Sequence, residues 1–184
     1  GESLSRIIFD GPLDTLTLTE NAQPALMAVS LAAMRVLQSR GVRPGGNIAF
    51  VAGHSLGEYS ALAAAGSFTI GDTARLLRIR GRAMQQAVPV GQGAMAALIG
   101  LDYEAAKAVA EEAAEGEVCA AANDNAPGQV VVSGARAAVE RALEIAKGKG
   151  AKRAILLPVS APFHCALMAP AARVMAEALA QVAI

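Results

Sequence analysis

Apolar and polar residues along the chain fall into blocks that predict alternating helices and strands. Pro24 to Arg40 (PALMAVSLAAMRVLQSR) reads as a helix, with the proline in its first turn and Gly41 ending it. Asn47 to Ala52 (NIAFVA) is a short apolar run between Gly45-Gly46 and Gly53, the pattern of a buried parallel strand. Leu56 to Ala65 reads as a helix stopped by Gly66, and Asp72 as the N-cap of a further helix through about Ala87.

The pattern changes after Pro89, Gly91 and Gly93. Ala94 to Ile99 predicts a strand and Tyr103 to Glu115 a helix. Val118 to Ala122 and Gln129 to Ser133 predict two more strands, joined by the turn-rich NDNAPG. Ala135 to Lys149 predicts a helix closed by Gly150, and Arg153 to Val159 a last strand. This βαββαβ order is that of a ferredoxin-like unit over 90–159, inserted into a larger α/β framework made of 1–89 and 160–184. No internal repeat or low-complexity linker interrupts it.

Composition narrows the function classes. The chain has 184 residues and zero formal net charge, so it lacks the basic surplus expected of a nucleic-acid or anionic-membrane binder. No run of 18 apolar residues predicts a transmembrane helix, and Gly1 to Arg6 lack the basic-then-apolar order of a signal peptide. Cys119 and Cys165 stand far apart without ligand spacing, which favours free thiols in a cytoplasmic protein over a disulfide or zinc site.

One motif carries chemistry. Gly53-His54-Ser55-Leu56-Gly57 is a G-x-S-x-G nucleophile elbow, set between a predicted strand and a predicted helix, and it predicts an α/β-hydrolase-like core with a parallel sheet. A serine on so sharp a turn has a strained backbone, and glycines two residues away on each side avoid a collision. The turn lifts the Ser55 hydroxyl to a helix N-terminus, where the Leu56 N–H can help hold a developing oxyanion. A chance GxSxG is common in a chain with 18 glycines, but the flanking strand and helix argue against chance here. A serine nucleophile needs a base, and the chain has two histidines. His54 is next to the serine on the elbow and would struggle to reach its oxygen. His164, in the loop after the last predicted strand, is the candidate base by elimination.

With these residues in place, the chain resembles the malonyl-CoA:acyl carrier protein transacylases of fatty-acid synthesis and their relatives in polyketide synthases. The segments that carry the resemblance are GHSLGEYSALAAAG (53–66), RLLRIRGRAMQQAVPVGQGAMAALIG (75–100), NDNAPGQVVVSG (123–134) and LPVSAPFHCALMAPAA (157–172). The resemblance implies that Ser55 is the acylated nucleophile and His164 the general base and later acid. It implies that Arg80, in Ile79-Arg80-Gly81, pairs with the free malonyl carboxylate. Arginine's planar fork suits that anion, although Arg75, Arg78 and Arg82 lie close by and sequence alone does not separate them. Phe163 matches a position that is phenylalanine in many malonyl-selective relatives and would crowd a methyl branch; core packing explains a lone phenylalanine equally well. Asn123 and Asn125 match a loop bordering the pocket, or are simply polar turn residues. The implied reaction is a ping-pong transfer from malonyl-CoA to the phosphopantetheine thiol of acyl carrier protein by a cytoplasmic monomer. Malonyl-CoA and CoA are substrate and product, and neither metal nor other cofactor is needed.

Family members open with a strand and a GQGSQ-like loop that supplies a second oxyanion N–H, and they continue past the helix near Ile184. Neither feature occurs here, so the chain is expected to be truncated at both ends, with NIAFVA lacking its sheet neighbours. Two rival readings share the motif. A serine esterase would need a triad acid, and the nearest acid before His164 is Glu144, in a predicted surface helix. A non-catalytic carrier-protein-binding remnant would not need Ser55, Arg80 and His164 together.

Overall fold

The computed structural model describes residues 3–183. The chain divides into two compact units: Gly1–Ala83 with Arg173–Ile184, and Met84–Ala172.

The first unit is helical. It contains α1 (Leu4–Asp10), α2 (Leu13–Thr17), α3 (Thr19–Ser39), α4 (Gly57–Ala65) and most of α5 (Ile70–Ala87). The last turns of α8 (Ala169–Leu179) join it. Met27, Leu31 and Leu77 form one apolar cluster with Leu56 and Tyr59; Phe68, Leu76 and Met175 form a second with Leu62 and Ile79. Three local expectations change.

Helix α3 starts at Thr19, which leaves Pro24 inside it rather than in its first turn. Proline has no N–H to give the carbonyl four residues back. That carbonyl, on Glu20, instead accepts a hydrogen bond from Arg78 Nη1 at 2.8 Å. Helix α5 is capped by Thr69, not Asp72. The Asp72 N–H donates to Thr69 Oγ1 at 3.0 Å, and the Thr69 hydroxyl donates to the Asp72 carboxylate at 2.6 Å.

Residues 47–52 form no strand. A single parallel bridge links Pro44 and Ile48, and Phe50 is 91% exposed. A parallel strand needs partners along its hydrogen-bonding edges, and this unit offers no other strand among the described residues. The α/β-hydrolase-like parallel sheet expected around the elbow is therefore absent from the described residues, whose one sheet is antiparallel and lies in the second unit.

That second unit runs β1 (Gly93–Ile99), α6 (Tyr103–Ala114), β2 (Cys119–Ala126), β3 (Gln129–Ala135), α7 (Arg136–Gly148) and β4 (Arg153–Leu156), the βαββαβ order read from the sequence. The sheet order is β2-β3-β1-β4 with every neighbouring pair antiparallel. Leu98, Val130 and Val132 from the strands meet Ala106, Val109, Val139, Ala142 and Ala146 from the helices, all fully buried. Alanine on the helix faces lets α6 and α7 lie close to the sheet, so large strand residues fill the layer.

Strand β2 continues through most of the stretch predicted as a turn, and only Pro127-Gly128 turn the chain. The poor strand formers there are absorbed by two bulges, between Ala121 and Asn123 and between Asp124 and Ala126. Strand β4 ends at Leu156 rather than Val159. The Leu157 N–H still bonds the Met95 carbonyl at 2.8 Å before the chain leaves the sheet.

Candidate active site

Ser55 lies on the turn leading into α4 with φ +54°, a left-handed conformation rare for serine. A Cβ at Gly53 would sit 1.9 Å from the carbonyl carbon and oxygen of Gly57 and 2.3 Å from the Glu58 nitrogen, all backbone atoms that cannot yield. The collision expected from the motif is thus real at Gly53. At Gly57 it is not: a Cβ there meets nothing within 4 Å. The turn is tied by the N–H groups of Gly57, Glu58 and Tyr59, which bond the carbonyls of His54, Ser55 and Leu56 at 2.9, 3.2 and 3.1 Å. The Leu56 N–H precedes that ladder, at the N-cap of α4. His54 is exposed beside the serine.

The four arginines of α5 part company in the structure. Arg75 pairs with Asp72 at 2.6 Å. Arg78 and Arg82 both reach the Glu20 carboxylate, at 3.4 and 3.3 Å, and Arg78 also bonds Asn21 Oδ1 at 2.5 Å. Arg80 has no carboxylate within ion-pair distance among the described residues. Its Nη2 donates to Ser55 Oγ at 3.1 Å and its Nη1 to Gln23 Oε1 at 2.8 Å, with the guanidinium carbon 5.8 Å from the centre of the Tyr59 ring. Burial pulls the Arg80 pKa below its ordinary value, opposed by the nearby Tyr59 and Glu58. Burial likewise pushes the Tyr59 hydroxyl up, with Arg80 acting against it and Glu58 with it. A half-buried guanidinium held by neutral groups and aimed at a strained serine hydroxyl is a prepared anion site beside a candidate nucleophile.

His164 lies in the second unit, exposed and also at positive φ, +59°. Its loop is anchored by buried Pro162, whose ring packs so near Gly93 that a Cβ there would come within 2.3 Å of it. The Phe163 N–H bonds the Ala161 carbonyl at 3.1 Å, and Cys165 Sγ donates to the Pro162 carbonyl at 3.2 Å. Phe163 is half-buried. Asn123 is half-buried and Asn125 exposed on the bulged part of β2, so they are strand residues rather than loop residues. Cys119 and Cys165 are free thiols.

Ser55 and Arg80 are thus joined within one unit, while His164, Phe163, Asn123 and Asn125 belong to the other. Sequence reasoning missed Gln23, Thr19, Tyr59 and Gly81. Gln23 was legible in one respect: Thr19, Gln23, Met27 and Leu31 repeat every fourth residue and are all buried, so two polar side chains interrupt an apolar stripe. Among the described residues, no cluster of three His, Cys, Asp or Glu could hold a metal ion, and no helix is long and apolar enough to cross a membrane.

The family model of the acyl transferase domain matches residues 1–184. The chain belongs to the acyl transferase domain family. This acyl transferase chain is 51% identical over 182 residues to the malonyl CoA-acyl carrier protein transacylase of Escherichia coli (strain K12), covering 99% of its own length and 58% of the relative's. The crystal structure of an acyl-carrier-protein-S-malonyltransferase from Bartonella henselae superposes with a TM-score of 0.93 at 63% identity, over 99% of this chain and 58% of that one. A type II PKS acyl-carrier protein in complex with its malonyl-transacylase gives 0.92 at 46% identity, over 98% and 57%. The chain therefore spans less than two thirds of the length of the relatives it matches.

Proposed function

We propose that this acyl transferase chain carries the malonyl-transferring site of an [acyl-carrier-protein] S-malonyltransferase serving fatty-acid synthesis. The observation that carries the reading is the contact between Arg80 and Ser55, a cation without a carboxylate partner among the described residues beside the hydroxyl of a serine with a left-handed backbone.

His164 takes the Ser55 hydroxyl proton as the oxygen attacks the thioester carbonyl of malonyl-CoA. The Leu56 N–H bonds the oxyanion that forms, and its collapse expels CoA as the thiol with the proton from His164. Arg80 holds the free carboxylate of the malonyl-serine ester. The phosphopantetheine thiol of acyl carrier protein then attacks that ester, His164 takes the thiol proton and returns it to Ser55, and the malonyl thioester leaves. Phe163 disfavours a methyl branch on the acyl group, and Asn123 and Asn125 border the pocket. The inserted lobe is 90–159 on an α/β-hydrolase-like core, and the enzyme works as a cytoplasmic monomer. The carrier-protein partner is supported by the relative solved in complex with its acyl-carrier protein.

The test is intact-protein mass after brief incubation with malonyl-CoA. A malonyl adduct that disappears in Ser55→Ala is expected. An adduct that survives the substitution, or none on the full-length protein, would overturn the reading.

A further inference from the structure

We infer that Gln23 is a positioning residue that holds Arg80 at Ser55 while leaving its positive charge unneutralised for the incoming anion. The inference rests on the proposed transfer reaction and deepens it.

Gln23 is 3% exposed and Thr19 is 6% exposed, on successive turns of α3. The Gln23 amide Nε2 donates to Thr19 Oγ1 at 2.8 Å. That bond fixes the amide so that Oε1 faces Arg80, whose Nη1 donates to it at 2.8 Å. The guanidinium is thereby tethered on one nitrogen and free to present the other, now resting on Ser55 Oγ at 3.1 Å.

The chemistry of the acceptor matters. A carboxylate in place of the Gln23 amide would hold Arg80 at least as firmly, because a charge-assisted bond is stronger than a neutral one. It would also satisfy the charge, and a second carboxylate would then bind a site already neutral. An amide orients without neutralising. The neighbouring arginines show the contrast, since Arg75, Arg78 and Arg82 are all spent on carboxylates.

Helix α3 is held against α5 around this contact. Gly81, next to Arg80, lies so near α3 that a Cβ would come 2.5 Å from Glu20 Cα and 2.7 Å from the Thr19 carbonyl oxygen. Arg78 closes the same approach through the Glu20 carbonyl that Pro24 leaves without an N–H. The residue before Pro24 is Gln23 itself, so the clasp and the tether share one turn.

The experiment compares wild type, Gln23→Glu and Gln23→Ala in the full-length protein, measuring loading of Ser55 across malonyl-CoA concentrations by intact mass, with thermal unfolding alongside. The expected result for Gln23→Glu is a half-saturating malonyl-CoA concentration raised roughly ten- to a hundredfold, with unfolding at or above the wild-type temperature. Gln23→Ala is expected to show a smaller rise in the same constant. A purely structural glutamine would tolerate glutamate, which still accepts from Arg80 and, lacking an N–H for Thr19 Oγ1, can accept from that hydroxyl instead. Wild-type half-saturation in Gln23→Glu therefore overturns the inference. If wild type itself takes no malonyl group, the transfer reading has failed, and the inference fails with it; loading of wild type with unchanged variants sinks the inference alone.

Discussion

At the scale of single residues, two of the three left-handed non-glycine positions among the described residues, Ser55 and His164, are the ones singled out for chemistry; the third, Glu115, ends α6. Gly53 lets the elbow close at one, and the Pro162 anchor fixes the loop at the other. Cys119 shows the opposite use of a nucleophilic atom. Burial, helped by neighbouring Cys165 and opposed by Arg141, pushes its thiol from 9.0 up to about 11. The folded chain keeps a proton there that the unfolded chain releases between those values. Its contribution to stability is therefore complete below pH 9 and lost as pH rises through about 11. At pH 8 only about a thousandth of the Cys119 thiol is ionised. Iodoacetamide is expected to alkylate it slowly at that pH, with the rate climbing about tenfold per pH unit toward 11. A rate that levels off near pH 9, followed by peptide mass mapping, would show the thiol to be unburied.

Between elements, the decisive fact is how closely α5 crosses the start of α3. Gly81→Ala places a methyl against backbone that cannot move aside. It is expected to cost about 1–3 kcal/mol of stability and to lower malonyl loading by displacing Arg80 from Gln23. Denaturant midpoints and intact-mass loading check the two effects; an alanine variant equal to wild type in both would mean that the crossing is loose. Much of this level could be read in advance and some could not, for identifiable reasons. The βαββαβ order was legible because short apolar runs alternate there with longer helical stretches and its turns carry glycine; the pairing of β1 with β3 and β4 joins segments far apart in sequence and was not legible. The start of α3 was hidden because proline usually opens a helix, and only a distant arginine makes it acceptable inside one. NIAFVA has the composition of a strand, but pairing partners make a strand, and apolarity alone does not. Arg80 could not be told from its neighbours by type. Its distinction comes from facing Gln23 and Ser55, while Arg75, Arg78 and Arg82 follow a three- and four-residue spacing along another face of α5 toward acidic partners.

Across the whole molecule, the two units differ in what sustains them. The second has a continuous four-stranded sheet whose inner strands, β1 and β3, pair on both edges. The first relies on helix packing and leaves 47–52 nearly unpaired, with Phe50 exposed. Amide hydrogen exchange is expected to be slowest at Ala96–Leu98 and Val130–Val132 and fast across 49–52. Strong protection of 49–52 in the full-length protein would show those amides paired there. The contact between the elbow serine and Arg80 has a further meaning in the proposed reaction. At rest, Ser55 Oγ already accepts a hydrogen bond from Arg80. An uncharged acyl group would have to draw the serine away from that donor and give the guanidinium nothing in exchange. A carboxylate-tailed one replaces the lost acceptor with a better one as the serine is acylated. Preference for the acidic substrate is then an exchange of partners at the arginine, set before any wall of the pocket measures the size of the acyl chain.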